Sequence, residues 1–391
     1  MTLPAAPADM PIEPQRPDAS PRRRHRLALG VTGGALALLL LGGAAVATTT
    51  ALQPASTASG GTTLMEPQVY QPPAAREVTP ATGAQTAGVV TITTDLYYGQ
   101  GAAAGTGIIL SSDGTILTNN HVVEGSTSIQ VTVESTGVTY AAQVVGTDPV
   151  DDIAVIRLAD AAGLTAATLD HDVAATGDTV TSVGNAGGTG DLVAASGPVT
   201  GVGQSITVHD ELTGAAKRLT GLIEVGADVV SGDSGGPLLD AGGQVTGIVT
   251  AASSGSQTPT GYAIPIATAL DVAQQILAGD VSGNVSLGVP AFLGVTLAHT
   301  PIGAASSAAG SGAAGSGAVI SGVVPGLPAD RAGLGAGDTI TAIDGTPIGS
   351  YDDLSAVIAA HEAGDTIRLS FTDAGGAAST VTLTLVGGPA E

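Results

Sequence analysis

The chain has 391 residues, a formal net charge of −23 and no cysteine. That length allows two or three domains, and the missing thiols exclude disulfides, thiolate metal sites and cysteine nucleophiles. Beyond residue 26 only six lysines and arginines stand against 31 carboxylates, so the body repels phosphate backbones and nucleic acid is not expected as a partner.

In chain order, residues 1–26 are rich in proline and alanine and read as a disordered cytoplasmic tail. Arg22, Arg23, Arg24 and Arg26 abut an uncharged run from Leu27 to Ala47 that is long enough to cross a bilayer as a helix. The positive-inside rule keeps those arginines in the cytoplasm and places everything after Ala47 outside. Two alternatives stay open: a single-pass transmembrane anchor, or a signal sequence cut after Ala45-Val46-Ala47 so that the body is secreted. The adjoining arginines argue against a third, a buried soluble helix. Residues 48–83 are a Thr-, Pro-, Ala- and Ser-rich linker.

Aromatic residues make up 2% of the chain, so its cores must come from Val, Ile, Leu and Ala, which suits strands. Strands are predicted at Val89 to Ile92, Gly107 to Leu110, Thr115 to Thr118, Ser128 to Val133 and Tyr140 to Val145. They are followed by Asp151-Asp152-Ile153-Ala154-Val155-Ile156. Short strands with turns at this spacing indicate a β-barrel rather than a sheet with crossover helices. Ala267 to Leu277 has helical spacing and stops at Gly279.

Three motifs carry the chemistry. Gly232-Asp233-Ser234-Gly235-Gly236-Pro237 places a serine hydroxyl among glycines whose amides can converge on one small hollow, the geometry an acyl-transfer oxyanion needs. Each residue alone has a bland reading: a polar turn for the glycine loop, a strand-end histidine for His121 in Asn119-Asn120-His121-Val122, a solvated turn acid for Asp152. Their order, histidine, then aspartate, then serine, is that of one triad of base, orienting acid and nucleophile.

On these motifs, from about Ala87 to Leu385, the chain resembles the trypsin-like serine proteases of the HtrA (DegP-like) family, actinobacterial secreted or anchored type, with one PDZ domain. The resemblance implies a mainly β fold. A chymotrypsin-like double β-barrel protease domain (84–279) and a linker (280–288) precede a PDZ domain (289–388). It implies that Ser234 is the nucleophile and His121 the general base, with Asp152 as its orienting carboxylate and Asp151 as the adjacent competitor. The amides of Gly232 and Ser234 would form the oxyanion hole. Asp233 departs from the family, which more often has Asn there. Thr250, Ala251 and Ala252 match the strand that pairs with substrate backbone. Asp228 stands where trypsin-like enzymes that cut after Lys or Arg keep an acid, whereas HtrA relatives prefer small aliphatic residues; comparing cleavage after Arg and after Val in matched peptides separates the two. Gly184-Asn185-Ala186-Gly187-Gly188 imitates the serine motif without its hydroxyl and reads as a loop near the site.

In the second domain Phe292, Leu293, Gly294 and Val295 match the PDZ carboxylate-binding loop and the strand after it, with core packing as the plainer role for Phe292. Leu327 to Leu334, Gly337 to Gly345 and the helix-like run Tyr351 to His361 complete the likeness. Such a domain binds C-terminal peptide tails by adding them to a sheet edge. Gly303 to Gly317 is low-complexity and reads as a loop. Asp170-His171-Asp172 reads as a solvated turn, so no metal site is expected, and His209, His299 and His361 receive no role. The family's chemistry needs no cofactor; its substrates are unfolded proteins, and its members are often homotrimers. Two rivals remain. One is an α/β-hydrolase elbow, against which the leading histidine and the strand after Ser234 argue. The other is a chaperone-like peptide-binding protein with a latent protease site.

Overall fold

A computed structural model describes residues 79–391 except 171, 173, 210–215, 253–259 and 298–316. The tail, the apolar run Leu27 to Ala47, most of the 48–83 linker, His171, His299 and most of the Gly303 to Gly317 loop lie outside the described residues. No helix among the described residues is long and apolar enough to cross a membrane.

The chain is mainly β. The first seven-stranded sheet runs Ser286–Leu287, Val138–Asp148, Ser126–Val133, Val89–Leu96, Gly101–Ile109, Thr115–Thr118, Ile153–Leu158. Val138–Asp148 also pairs with Ile153–Leu158, which closes the sheet into a barrel. The second runs Thr79–Pro80, Val193–His209, Ala216–Val225, Gly261–Pro265, Val245–Ala252, Pro237–Leu239, Thr179–Gly184 and closes where Val193–His209 meets Thr179–Gly184. Closure leaves few free edges, as expected for strands joined by turns rather than crossovers.

The barrels share one apolar seam. Ile108, Leu117, Ile153 and Val155 from the first pack with Val183, Leu192, Ile248 and Ile264 from the second, all buried. The helix Ile266–Leu277 closes this seam with Ile266, Ala269, Val272, Ala273 and Ile276, the one-sided spacing of an amphipathic helix. Its three larger side chains contribute about 1.5–3 kcal/mol each by leaving water. Within the 280–288 stretch read as a linker, Val285 is buried and Ser286–Leu287 pairs with Gly146 and Thr147, so this stretch extends the first barrel's sheet.

The described residues of 289–391 have a core of their own, including Leu293, Ile320, Ile340, Ile367 and Leu383. Its sheet runs Val295–Leu297, Ala318–Val323, Thr339–Ile343, Thr366–Thr372, Ala378–Thr384, so Val295–Leu297 is an edge strand. The helix Tyr351–Ala359 starts at Ser350, whose Oγ accepts the N–H of Asp353 at 3.1 Å, with Asp352 and Asp353 in its first turn favoured by the helix dipole.

Candidate active site

His121 lies on a four-residue helix, Asn120–Val123, at the end of the strand Thr115–Thr118. Asn119 precedes it without capping it, and its side-chain amide donates to the Asp152 carbonyl at 2.9 Å. That bond ties the histidine helix to the turn before Ile153–Leu158, where Asp152 has φ 58°, a left-handed conformation that aspartate tolerates better than most residues. The turn sends the Asp152 carboxylate inward, where its side chain is 1% exposed.

Four donors meet that carboxylate. Oδ2 accepts His121 Nδ1 at 2.8 Å and Thr250 Oγ1 at 2.5 Å. Oδ1 accepts the His121 backbone N–H at 3.1 Å and Lys217 Nζ at 3.4 Å. The imidazole is therefore held with Nδ1 toward the acid and Nε2 left to act as an acceptor, while its side chain remains 43% exposed.

Ser234 joins the same cluster through Thr250. Its Oγ donates to the Thr250 carbonyl at 3.4 Å, and Thr250 is the residue whose hydroxyl bonds Asp152. Among the described residues Ser234 Oγ makes no hydrogen bond to His121. The Ser234 loop is fixed from behind: Thr106 N–H donates to the Ser234 carbonyl at 2.8 Å, and Thr106 Oγ1 donates to the Gly232 carbonyl at 2.8 Å while accepting the Asn185 N–H at 3.0 Å. The Gly184 to Gly188 loop packs on this turn, with Gly187 N–H donating to the Ser231 carbonyl at 2.7 Å. Gly232 has φ 97°, and a β-carbon there would overlap the Asn185 carbonyl oxygen, so only glycine fits. Among the described residues the amides of Gly232 and Ser234 donate to no protein acceptor and can turn to an incoming oxygen.

Charge follows this geometry. Burial pushes the Asp152 carboxyl upward, but the His121 charge and hydrogen bond, Lys217 and Thr250 outweigh it and hold it at about 2. Burial acts downward on His121; the Asp152 charge and hydrogen bond overcome it and raise the imidazole above its ordinary value, with Lys217 pulling down and Glu124 up. Asp233 is different. Burial, with Asp228 adding to it, raises its carboxyl to about 6 although Val230 N–H bonds Oδ2 at 2.9 Å. Its Oδ1 is buried without a donor among the described residues.

The other expected positions divide. Asp151 is exposed beside the cluster and does not bond His121, whose partner is Asp152. Asp228 is half-buried near Asp233. The backbone of Ala251 and Ala252 continues the Thr250 strand opposite Tyr262 and Gly261. Phe292 is half-buried, its ring stacked on Tyr98 with centroids 5.6 Å apart; Leu293 is buried, Gly294 has φ 82°, and Val295 begins the edge strand. His361 has partners after all, Asp365 at 3.4 Å and Asp344 at 3.9 Å. No cluster of metal-ligating side chains occurs among the described residues. Sequence reasoning missed Lys217, Asn119, Thr106 and the bond from Thr250 to Asp152. The one available signal was that Lys217 is the only lysine in the chain.

Known proteins resemble this chain in sequence and domain content. Residues 105–248 match the family model of the trypsin-like peptidase domain and residues 319–370 that of the PDZ domain. A probable periplasmic serine endoprotease DegP-like of Chlamydia pneumoniae is 37% identical over 253 residues, 64% of this chain and 48% of the relative. The periplasmic serine endoprotease DegP of Escherichia coli K12 is 33% identical over 271 residues, 68% of this chain and 54% of the relative. The chain thus spans about half the length of these curated relatives. Among solved structures, an HtrA-type protease AlgW S227A with tripeptide is 31% identical, covering 78% of this chain and 95% of that one, with a TM-score of 0.44.

Proposed function

The chain belongs to the HtrA (DegP-like) family, a trypsin-like peptidase domain followed by one PDZ domain, and from that premise we propose that it is an extracytoplasmic serine endopeptidase acting on unfolded proteins. The observation that carries the reading is the buried Asp152 carboxylate, bonded at once to His121 Nδ1 and to Thr250, the residue whose carbonyl holds Ser234 Oγ.

In this reading His121 Nε2 takes the proton of Ser234 as the hydroxyl attacks the scissile carbonyl. The amides of Gly232 and Ser234 hold the developing oxyanion. Asp152 keeps the imidazole in the right tautomer and stabilises its charged form, and His121 then protonates the leaving amine. Water, deprotonated by the same imidazole, frees the acid product. Substrate backbone adds to the strand at Thr250, Ala251 and Ala252, and Asp228 biases the side chain accepted. The unit at 289–388 takes C-terminal tails along the edge strand Val295–Leu297, with loop amides near Leu293 and Gly294 receiving the carboxylate. Membrane anchoring by Leu27 to Ala47 and assembly as a homotrimer complete the proposal.

Ser234→Ala should lower casein degradation by several orders of magnitude. Undiminished cleavage would overturn the assignment. A second reading, a peptide binder with a latent site, draws on the Ser234 hydroxyl donating to Thr250 rather than to His121. A fluorophosphonate probe separates them: labelling at Ser234 supports the peptidase, and no labelling with any activating peptide supports the binder.

A further inference from the structure

The only lysine of the chain lies against the most buried carboxylate of the candidate site. Lys217 is on the strand Ala216–Val225, opposite Val208, in a hairpin of the second barrel, while Asp152 and His121 belong to the first. Its ammonium is 3.4 Å from Asp152 Oδ1, and its side chain is 30% exposed. No sequence motif of the peptidase reading includes this residue.

We propose that Lys217 is a positioning residue for the hydrolytic reaction, pinning Asp152 Oδ1 across the barrel seam and neutralising part of the charge that His121 feels. The inference rests on the reading of Ser234, His121 and Asp152 given above.

The geometry explains why a cation is useful there. With Oδ2 engaged by His121 and Thr250, Oδ1 has among the described residues only the His121 backbone N–H besides Lys217. A buried carboxylate left with an unfilled lone pair would swing or draw in water. Among the described residues the other charges acting on the imidazole are acidic. Asp152 and Glu124 both favour its protonated form, and Lys217 opposes them. Asp151 lies next to Asp152 and feels both Asp148 and Lys217, while the Asp148 carboxylate accepts the N–H groups of Val150 and Asp151 in its own turn. Lys217 therefore keeps the imidazole from binding its proton too tightly, so the neutral base persists to lower pH.

The test is made on the whole chain with Lys217→Met, which keeps the aliphatic stem, and Lys217→Arg, which keeps the charge. The imidazole of His121 is followed by NMR titration, identified by its loss in His121→Ala, alongside the pH profile of kcat/KM. Lys217→Met should raise the His121 titration midpoint and move the acid limb of kcat/KM upward. That means a several-fold loss below neutrality and little loss at mildly alkaline pH, with Lys217→Arg restoring most of it. An unmoved His121 midpoint in Lys217→Met overturns the proposal. So does an equal loss at every pH, because that would make Lys217 a purely structural residue. The NMR midpoint needs no turnover: if Ser234→Ala leaves hydrolysis intact while the midpoint still moves, the peptidase assignment has failed and the electrostatic coupling has not.

Discussion

Asp233 is 2% exposed, its Oδ1 has no donor among the described residues, and burial raises its carboxyl to about 6. A carboxyl whose folded value lies above its unfolded one contributes its stability below the unfolded value and loses it as pH rises through the folded one. The native state is therefore weakened between roughly pH 4 and pH 6 and stays weakened above. Asp233→Asn keeps an oxygen for the Val230 N–H and removes the charge. It should raise Tm at pH 7.5, with a gain of about 2–3 kcal/mol, and leave Tm nearly unchanged at pH 4; equal effects at both pH values in calorimetry would refute this account. At this scale much was legible. The contact of His121 with Asp152 could be read because each sits in a distinctive run of neighbours. Lys217 could not, since its partner lies 65 positions away and no local pattern joins them. Thr250 was read as a contact for substrate backbone; its hydroxyl's bond to Asp152 depends on strand register that only the fold supplies.

Elements of the two barrels were legible where alternation was strong. Thr115–Thr118 appears as expected, and the helix at Ala267 to Leu277 begins one residue earlier, at Ile266. Strand ends were less so: Tyr140 to Val145 extends to Val138–Asp148 because both flanks find partners in neighbouring strands. The pair Ser286–Leu287 was hidden inside a Gly- and Ser-rich stretch, where composition points to a linker and only pairing with Gly146 and Thr147 makes it a strand. The turn at Gly232 is held between Thr106 and the Asn185 loop. Gly232→Ala would need a left-handed backbone and would push its methyl into the Asn185 carbonyl. It should reduce kcat/KM by about 100 to 1000-fold while KM changes little, the size of effect expected when one oxyanion donor is displaced. A variant that retains full kcat would show that this amide does not face the reaction.

Across the whole molecule, the barrels and the described part of 289–391 meet through several specific contacts. Tyr98 stacks on Phe292 with ring planes 13° apart and donates its hydroxyl to the Gly387 carbonyl at 3.2 Å. Val386–Gly387 pairs with Ala291–Phe292, and Ala390 exchanges hydrogen bonds with Gly125 and Ser126, just past the His121 helix. Mutating Tyr98 and Phe292 to Leu singly and together should reveal a coupling of about 0.5–1.5 kcal/mol in denaturant titrations; strictly additive losses would mean that the rings do not hold the units together.

The Asp152 carboxylate is gripped by side chains from both sides of the barrel seam. Separated halves would each keep a fragment of the apparatus: an imidazole and its acid in one, an alcohol and two anchoring donors in the other. In the proposed mechanism bond cleavage is thereby made a property of the joint, and a half-assembled or heat-parted molecule would be chemically silent.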